Sequence, residues 1–229
     1  MPEALLSAAE ACVFDAYGTL FDVHSVVRRC DDRWPGKGAQ LSQLWRTKQL
    51  EYSWQRSLMR RYAPFSRVTR EALAYACKAL GLPLEPAIVD ALMAEYLRLS
   101  PYGDVARALQ ALGDIPHAIL TNGSPDMIEP LVRSSGLRFD AVLSVDEVKV
   151  YKPDPQVYQL AVDRLRVPKE AIGFVSSNGW DAVGAKSFGF RVFWINRLKA
   201  PVDELGFEAD AVLQSLGDLP ELLAARGAA

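Results

Sequence analysis

Short apolar runs alternate with helical patterns along most of this sequence, and no other feature restricts its possible folds as strongly. From Gly103 onward HAILTN precedes SPDMIEPLVRSSG, AVLSV precedes PQVYQLAVDRLRV, AIGFVSSN precedes GWDAVGAKSFG, and RVFWIN and AVLQSL complete the series. ACVFDAYG, near the start, is a further run of the strand type. Strands that alternate with helices form parallel sheets covered on both faces. The sequence therefore predicts an α/β fold with a parallel-sheet core.

The stretch after the first predicted strand interrupts this alternation. Between about Asp22 and Ser100 the pattern is helical only, with LSQLWRTKQLEYSWQRSLMRRYA as one long amphipathic segment and TREALAYACKALG and EPAIVDALMAEYLRL as two more. We expect residues 22–100 to form a helical cap subdomain, and residues 1–21 and 101–229 to form the core domain. An insertion at this point would lie over the carboxyl edge of the sheet, where open α/β sheets bind ligands.

The charge and cysteine content argue against several functional classes. A formal net charge of −2 on 229 residues provides no broad basic surface, so we expect neither a nucleic-acid nor a membrane partner, and a small molecule is the default ligand. The three scattered cysteines form no CxxC pair, which argues against a thiolate metal site and suits a reducing compartment. The start of the chain lacks a signal-peptide pattern, and no apolar run reaches the roughly 18 residues of a membrane span. We predict a cytoplasmic protein.

Asp15 is the first candidate catalytic residue, because an acidic side chain directly after a buried strand requires a structural or functional explanation. Gly18 and Thr19 follow it, so the backbone can turn sharply and leave the carboxylate at the sheet edge, where it can act as a covalent nucleophile. A helix or turn cap is the alternative that this stretch alone favours. If Asp15 is a nucleophile, the identity of Tyr17 bears on which reaction it performs.

A second group of polar residues follows the strand HAILT. Ser124 and Pro125 are typical of a helix N-terminus, and capping explains Ser124 but leaves Thr121 and Asn122 without a role. Together with the helix amides, these two side chains could bind an anionic group.

Lys152 and Asp181 are charged residues near two further strand tips. Pro153 favours an extended backbone at Lys152, whose ammonium could hold Asp15 ionised, although a solvated lysine is the commoner case. The helix dipole alone could explain Asp181 near a helix start. That alternative leaves the SSN tripeptide before it unexplained.

Arg46, Leu50 and Trp54 recur at four-residue spacing on the long predicted helix, which places a cation in a stripe with two large apolar side chains. Such an arginine suits an anion in a dry pocket, whereas a salt-bridged or snorkelling arginine is the ordinary alternative. The two histidines offer less. His117 opens a strand, and His24 has no paired Ser or Cys motif for nucleophilic catalysis.

Four segments, taken in order, resemble the four motifs of the haloacid dehalogenase superfamily. They are DAYGTL from Asp15, LTNGSP, KPDP and SSNGWD, and the helical insertion after the first motif is similar as well. The resemblance extends over nearly the whole chain. It implies a Rossmann-like, HAD-like parallel-sheet core with an inserted helical cap subdomain.

Most members of that superfamily are magnesium-dependent phosphatases, and this sequence departs from their pattern. Their first motif is DxD, whose second Asp is a general acid, and Tyr17 stands at that position here. SSN replaces the GDS of their fourth motif, so only Asp181 remains of its acidic ligands. Magnesium prefers hard oxygen ligands from carboxylates, and Lys152 would compete with it. We therefore expect neither a metal nor a cofactor.

DAYGTLFD, LWRTKQLEYSW and FVSSNGWD resemble the L-2-haloacid dehalogenases in particular. This resemblance implies that Asp15 attacks carbon 2 of a short L-2-haloalkanoic acid and expels halide with inversion, which leaves an ester on the enzyme. Water would then attack the aspartyl carbonyl and release a D-2-hydroxy acid. Backside displacement requires an ionised nucleophile and stabilisation of the departing halide, but no metal.

The same resemblance assigns roles to further residues. Arg46 and Asn122 correspond to halide contacts, Thr121 and Ser176 to contacts with the substrate carboxylate, and Asp181 is expected to orient or activate water. The predicted catalytic residues are Asp15, Thr19, Arg46, Asn122, Lys152, Tyr158, Ser176, Asn178 and Asp181. The predicted substrate-binding residues are Ala16, Tyr17, Arg46, Leu50, Phe65, Thr121, Asn122 and Trp180.

Two residues depart from that narrower family, and two other functions remain open. Thr121 replaces its usual serine, and Thr47 replaces its usual glutamine, which would shorten a pocket-lining side chain and affect substrate size. The alternatives are a phosphatase or phosphomutase-like enzyme with a rebuilt magnesium site, and a catalytically silent binding protein with the same fold. The resemblance favours a homodimer, and the aromatic residues Trp45 and Tyr52 are available for the core or for a dimer face.

Overall fold

The computed structural model describes residues 9–224, and its centre is a six-stranded sheet. The strands are β1 (Ala11–Phe14), β2 (His117–Thr121), β3 (Ala141–Ser144), β4 (Ile172–Ser176), β5 (Arg191–Ile195) and β6 (Ala211–Leu213). Their order across the sheet is β3-β2-β1-β4-β5-β6, and every neighbouring pair is parallel. The predicted α/β fold with a parallel sheet is confirmed.

Helices connect most of these strands. They are α1 (Val27–Arg33), α2 (Gly38–Leu58), α3 (Phe65–Ala79), α4 (Pro86–Glu95), α5 (Val105–Ala111), α6 (Pro125–Ser135), α7 (Pro155–Leu165), α8 (Gly179–Phe188) and α9 (Leu219–Ala224). Short 3-10 helices lie at Val23–Val26, Tyr96–Arg98, Val145–Glu147, Lys169–Ala171 and Leu216–Asp218. The periodicity does not predict α1, α5 or α9, because helices of two turns or fewer carry too little periodic signal. Within residues 9–224, no helix combines the length and the apolar character needed to cross a membrane.

The central strand β1 explains where a ligand site can form. All of its side chains are buried, and it pairs with β2 on one edge and with β4 on the other. The chain runs from β1 to β2 and β3, and later returns to place β4 on the opposite side of β1. The strand order therefore reverses at β1, and crevices form outside the carboxyl ends of strands at such reversals.

The elements between β1 and β2 are α1 to α5 and two short 3-10 helices, and α1 to α4 all lie within residues 22–100. The long helix α2 packs on α3. Trp45 of α2 is fully buried, its indole N–H donates to the carbonyl of Thr69 at 2.8 Å, and its ring lies 4.7 Å from that of Tyr96. Trp45 therefore belongs to the core of this helical insertion and not to an exposed face. The boundaries of a separate cap subdomain stay a prediction.

Hydrogen bonds join the helical insertion to loops at the carboxyl edge of the sheet. The Tyr62 hydroxyl donates to Asp146 at 2.7 Å, just beyond β3, and the backbone N–H of Ser66 donates to Ser124 Oγ at 3.1 Å, just beyond β2. These contacts place the insertion beside the crevice that the strand order predicts.

Candidate active site

Asp15 lies one residue beyond β1, and its carboxylate accepts hydrogen bonds from three side chains. Oδ1 accepts from Lys152 Nζ at 3.1 Å. Oδ2 accepts from Thr19 Oγ1 and from Asn178 Nδ2, both at 2.8 Å. The Asp15 side chain is almost completely buried, so these donors replace water around its charge. The donors come from three separate segments of the chain, which fix the carboxylate from different sides.

The turn after Asp15 depends on Gly18. Its φ is 91°, a region that residues with a Cβ rarely adopt, and its N–H donates to the carbonyl of Phe21 at 2.8 Å. The carbonyl of Ala16 accepts from the N–H of Phe21 at 3.0 Å, so Ala16 contributes its backbone to the turn. The turn returns Thr19 towards Asp15, as the Gly-Thr pair predicts.

Lys152 is fully buried and lies between two carboxylates. Its Nζ is 3.1 Å from Asp15 Oδ1 and 2.9 Å from Asp181 Oδ2, and it lies 5.0 Å from the centre of the Phe174 ring. Burial acts to lower the pKa of Lys152, but the two carboxylates outweigh burial and the pKa is raised. Lys152 is therefore a permanent positive charge in the site and not a solvated surface lysine.

Asp181 lies in the first turn of α8 and is also fully buried. Its Oδ1 accepts from the Tyr158 hydroxyl at 2.8 Å, and its Oδ2 accepts from Ser176 Oγ at 3.1 Å and from Lys152. Burial raises the pKa of Asp181 to about 6, against the opposing effects of Lys152 and Tyr158. A carboxylate with this pKa is suited to general-base chemistry near neutral pH.

Asn178 and Ser176 connect the two carboxylates. The backbone N–H of Asn178 donates to Ser176 Oγ at 3.1 Å, and Asn178 Nδ2 donates to the carbonyl of Tyr17 at 3.0 Å as well as to Asp15. Asn178 occupies the N-cap position of α8, but its side chain makes no capping bond. Its amide is directed to the turn after β1 instead.

Arg46 reaches this group from the helical insertion. Its Nη2 donates to the carbonyl of Tyr17 at 3.2 Å and lies 3.5 Å from Asn178 Oδ1, while its Nη1 donates to Gln49 Oε1 at 2.7 Å. Burial lowers the pKa of Arg46, but a guanidinium keeps its charge at any physiological pH. The site therefore contains a second cation, which the helical insertion contributes.

The end of β2 contributes Thr121 and Asn122. Asn122 Oδ1 accepts the backbone N–H of Lys152 at 3.0 Å, so its amide nitrogen is the end left to donate to a ligand. Thr121 Oγ1 accepts a hydrogen bond from the backbone N–H of Gly123 at 3.0 Å. Ser124 occupies the N-cap position of α6, yet it makes no side-chain capping bond, because its Oγ accepts the N–H of Ser66.

Apolar side chains surround the polar group. The buried ring of Tyr17 packs on that of Phe65 at 5.7 Å, and the Tyr17 hydroxyl has no hydrogen-bond partner among residues 9–224. Trp180 packs edge-on against Trp54 at 5.4 Å. Leu50 is half-buried on α2, one turn beyond Arg46. Of the predicted residues, hydrogen bonds link Asp15, Thr19, Arg46, Asn122, Lys152, Tyr158, Ser176, Asn178 and Asp181 into one group.

Comparison with known proteins identifies the family. A family model for haloacid dehalogenase-like hydrolases matches residues 9–189. The (S)-2-haloacid dehalogenase of Pseudomonas sp. (strain YL) is 51% identical over 213 residues, which cover 91% of this chain and 92% of that protein. The chain belongs to the haloacid dehalogenase-like hydrolase family.

Other relatives of this haloacid dehalogenase-like hydrolase agree with that assignment. The haloacetate dehalogenase H-2 of Moraxella sp. (strain B) is 45% identical over 219 residues, which cover 94% of this chain and 98% of that protein. The solved L-2-haloacid dehalogenase from Xanthobacter autotrophicus with chloropropionic acid covalently bound has a TM-score of 0.90 and 44% identity, and the match covers 94% of this chain and 98% of that one. The resemblance predicted from the four motifs is confirmed.

One prediction about the pocket of this hydrolase is wrong. Thr47 was expected to replace a pocket-lining side chain, but it is exposed, and its hydroxyl donates to the carbonyl of Gln43 at 2.9 Å. Position 47 lies on the solvent face of α2, whereas Arg46 and Leu50 lie on the face that is partly covered. Helical periodicity places neighbouring residues about 100° apart, so adjacent positions need not share a face.

Sequence reasoning missed two contributors to the site. Gln49 is fully buried and accepts the short hydrogen bond from Arg46. The backbone N–H of Ser177 donates to Thr19 Oγ1 at 2.8 Å. Gln49 follows Arg46 by three residues, a spacing that places both on one helix face, so a signal for it was present in the sequence. A backbone donor such as Ser177 N–H leaves no residue-type signal.

Proposed function

We propose that this chain is an (S)-2-haloacid dehalogenase, which hydrolyses short L-2-haloalkanoic acids to D-2-hydroxy acids and halide. One observation carries the proposal: the buried Asp15 carboxylate is held by three side-chain donors, with a tyrosine and no acid two residues later. The names of the relatives support the same substrate class, since one is an (S)-2-haloacid dehalogenase and another is a haloacetate dehalogenase.

The hydrogen bonds of Asp15 favour one of its oxygens as the nucleophile. Each carboxylate oxygen has two lone pairs in the carboxylate plane. Among residues 9–224, Oδ2 accepts from both Thr19 and Asn178, whereas Oδ1 accepts from Lys152 alone. Oδ1 therefore retains a lone pair that can attack carbon 2 of the substrate. A new carbon–oxygen bond forms, the carbon–halogen bond breaks, and its electron pair leaves with the halide.

In a backside displacement the halide departs from the side of carbon 2 that faces away from Asp15. The negative charge that gathers on the halide needs hydrogen-bond donors on that side. Arg46 Nη2 and the amide nitrogen of Asn122 can donate to such an anion, because the Nη2 contacts of 3.2 Å and 3.5 Å are longer than the bond that Nη1 makes, and the hydrogen bond of Asn122 is made by its Oδ1. Donors placed in advance at a developing charge lower the barrier without reorganisation. We propose that these two residues receive the halide, and that Thr121 and Ser176 hold the substrate carboxylate.

The second step hydrolyses the aspartyl ester, and Asp181 is the proposed base. Its carboxylate accepts a proton from water while the water oxygen adds to the ester carbonyl carbon of Asp15. The tetrahedral intermediate collapses with loss of the 2-hydroxy-acid oxygen, which takes the proton from Asp181. The second water proton is released to solvent, and Asp15 returns to its carboxylate. Lys152 beside both carboxylates balances the negative charge of the intermediate.

The donor set of this site does not fit the magnesium ion of related phosphatases. The Lys152 ammonium lies between the Asp15 and Asp181 carboxylates, and it uses an oxygen of each. Magnesium requires octahedral oxygen ligands, and an ammonium in that space repels a divalent cation. Within residues 9–224, no group of three or more His, Cys, Asp and Glu side chains is arranged for a metal. We therefore propose a reaction in which neither a metal nor a cofactor takes part.

The direct test is halide release from L- and D-2-chloropropionate in the presence of EDTA, by the wild type and by Asp15→Asn. We expect release from the L isomer only, and its loss in Asp15→Asn. Release that EDTA abolishes would contradict the metal-free reaction. No release from either isomer would contradict the proposed substrate class, and a screen of phosphate esters with magnesium would then test the phosphatase alternative.

We also propose that residues 22–100 act as a cap subdomain and that the enzyme is a homodimer. Leu58 and Met59, at the end of α2, are 85% and 60% exposed. A groove of about 530 Å3 beside Met59 is lined by Tyr52, Ala74 and Tyr75 and by the polar side chains of Gln55, Arg56, Glu71 and Lys78. Exposed apolar side chains with a polar rim favour association with a second copy. Sedimentation equilibrium should give a dimer for the wild type and a monomer for Tyr75→Asp.

A further inference from the structure

Gln49 is a polar side chain that is completely buried within the helical insertion. Its Oε1 accepts from Arg46 Nη1 at 2.7 Å, and its Nε2 donates to Thr69 Oγ1 at 2.7 Å. The Thr69 hydroxyl lies 3.9 Å from the sulfur of Met127 on α6, which is close enough for a weak hydrogen bond. Burying an amide is unfavourable unless both of its ends are bonded, and here both are.

These contacts fix the orientation of the Gln49 amide. If the amide were reversed, its NH2 group would face the guanidinium of Arg46, and two donors would oppose each other. With the observed orientation, the Thr69 hydroxyl accepts from Gln49 and is free to donate to the sulfur of Met127. The carbonyl of Thr69 also accepts from the Trp45 indole, so α3 is held in place against α2.

The guanidinium of Arg46 is divided between this chain of contacts and the site. Nη1 makes the 2.7 Å bond to Gln49, and Nη2 makes the longer contacts of 3.2 Å to the Tyr17 carbonyl and 3.5 Å to Asn178. The shortest bond of Arg46 is therefore made away from the reacting group. An arginine held in this way can turn little, but its second nitrogen can still exchange weak contacts for an anion.

We propose that Gln49 is a positioning residue, which holds the guanidinium of Arg46 so that Nη2 receives the departing halide. This inference rests on the proposed dehalogenase function and on the role of Arg46 in it. Gln49 acts through Arg46 and does not touch the substrate itself. Negative charge on the halide develops only as the carbon–halogen bond breaks. A misplaced guanidinium therefore stabilises the transition state less, while the affinity for the substrate changes less.

The test compares two leaving groups in one enzyme preparation. Chloride is the poorer leaving group, so its departure needs more stabilisation than that of bromide. In Gln49→Met, which keeps the size but removes the acceptor, we expect kcat with L-2-chloropropionate to fall about 10-fold to 100-fold. We expect a smaller fall with L-2-bromopropionate, so that the bromide-to-chloride rate ratio rises about fivefold or more. The ratio does not depend on the fraction of folded enzyme, so a purely structural effect leaves it unchanged.

Two sets of controls sharpen this experiment. Gln55→Met alters an exposed glutamine on the same helix, whose side chain donates to Glu51, and should keep the wild-type ratio. Thr69→Val removes the hydroxyl that orients the Gln49 amide and should shift the ratio in the direction of Gln49→Met. Thr69→Ser keeps the hydroxyl and should give the wild-type ratio. The two Thr69 variants therefore test the inference even if Gln49→Met fails to fold.

The outcomes separate the inference from the function on which it rests. A wild type that releases no halide contradicts the proposed function. A wild type that releases halide, with an unchanged ratio in Gln49→Met and Thr69→Val, contradicts only the positioning role. Chloride binding can be followed without turnover by the excess line width of the 35Cl NMR signal. We expect this broadening to decrease in Gln49→Met and to persist in Gln55→Met, and equal broadening in both would also overturn the inference.

Discussion

The Lys152 ammonium lies 3.1 Å from Asp15 Oδ1, and both side chains are buried although 137 positions separate them in the chain. Asp181 completes the arrangement on the other side of the ammonium, at 2.9 Å. The positive charge of Lys152 offsets part of the negative charge of the two carboxylates, which are buried away from water. Together with the Arg46 guanidinium, Lys152 therefore balances the two carboxylates of the site, so the ionised state of the nucleophile and of the base depends on these cations.

Replacement of Lys152 with methionine should destabilise the protein strongly. The variant leaves two buried carboxylates without a counter-charge, and we expect the free energy of unfolding at pH 7 to fall by about 3–5 kcal/mol. Lys152 lowers the pKa of Asp181, so its removal raises that pKa further. A raised folded-state pKa stabilises the fold at low pH and destabilises it as pH rises, so the loss should shrink as the pH falls towards about 6, the pKa of Asp181 in the wild type.

Urea denaturation at pH 5 and pH 7.5 measures this difference. Lys149→Met is the matched control, because the Lys149 side chain is 58% exposed and pairs with Asp146, so its replacement should cost at most about 1 kcal/mol. Equal losses for the two variants would contradict the role given to the buried ammonium.

The rate of turnover should fall on the acid side of about pH 6. Burial raises the pKa of Asp181 to about 6, and the proposed base works only as the carboxylate, so each pH unit below this value should cost about tenfold in rate. The hydrogen bond from Tyr158 lowers the pKa of Asp181, so Tyr158→Phe should move the acid limb to higher pH. A pH profile of kcat for both proteins checks this, and a limb that stays in place or moves to lower pH would count against Asp181 as the base.

The hydroxyl of Thr19 should matter more than its methyl group. Ser177 N–H donates to Thr19 Oγ1, so the hydroxyl proton must point to Asp15 Oδ2. Thr19→Val removes this donor and leaves the Ser177 amide without a partner, and we expect a rate loss on the order of 10²-fold to 10³-fold, as for other donors to a reacting oxyanion. Thr19→Ser keeps the hydroxyl and should retain most of the activity. Similar kcat values for both variants would show that packing, and not the hydrogen bond, is what the enzyme needs.

Oxygen from water should enter the enzyme before it enters the product. In a single turnover in H2(18)O, attack on the ester carbonyl places the heavy isotope in Asp15, while the hydroxy acid keeps an oxygen from the original carboxylate. Mass spectrometry of the peptide that contains Asp15 and of the product measures both. Asp181→Asn should slow hydrolysis and accumulate the esterified peptide. Isotope found in the hydroxy acid alone would indicate direct attack of water on carbon 2.

The sequence predicts the sheet, the helical insertion and most of the polar residues that meet at the carboxyl edge of the sheet. The apolar runs and the helical periodicities are local patterns, so the strands and the long helix α2 follow from neighbouring residues alone. The residues at the ends of strands are predictable as a group because parallel strands share one carboxyl edge. Asp15, Asn122, Lys152 and Asp181 all lie at that edge, as this rule implies.

The partners of the polar groups were decided only by the tertiary structure. Ser124 and Asn178 occupy N-cap positions, yet their side chains bond to other segments, because the insertion and the turn after β1 lie within reach. Gln49 faces inward and Thr47 outward on one helix, which depends on how α2 packs against α3. Patterns of residue types along the chain determine the elements and the residues that they expose. Which donor meets which acceptor depends on segments that are distant in the chain, up to 163 positions apart for Asn178 and Asp15, and only the packing of the folded chain fixes those distances.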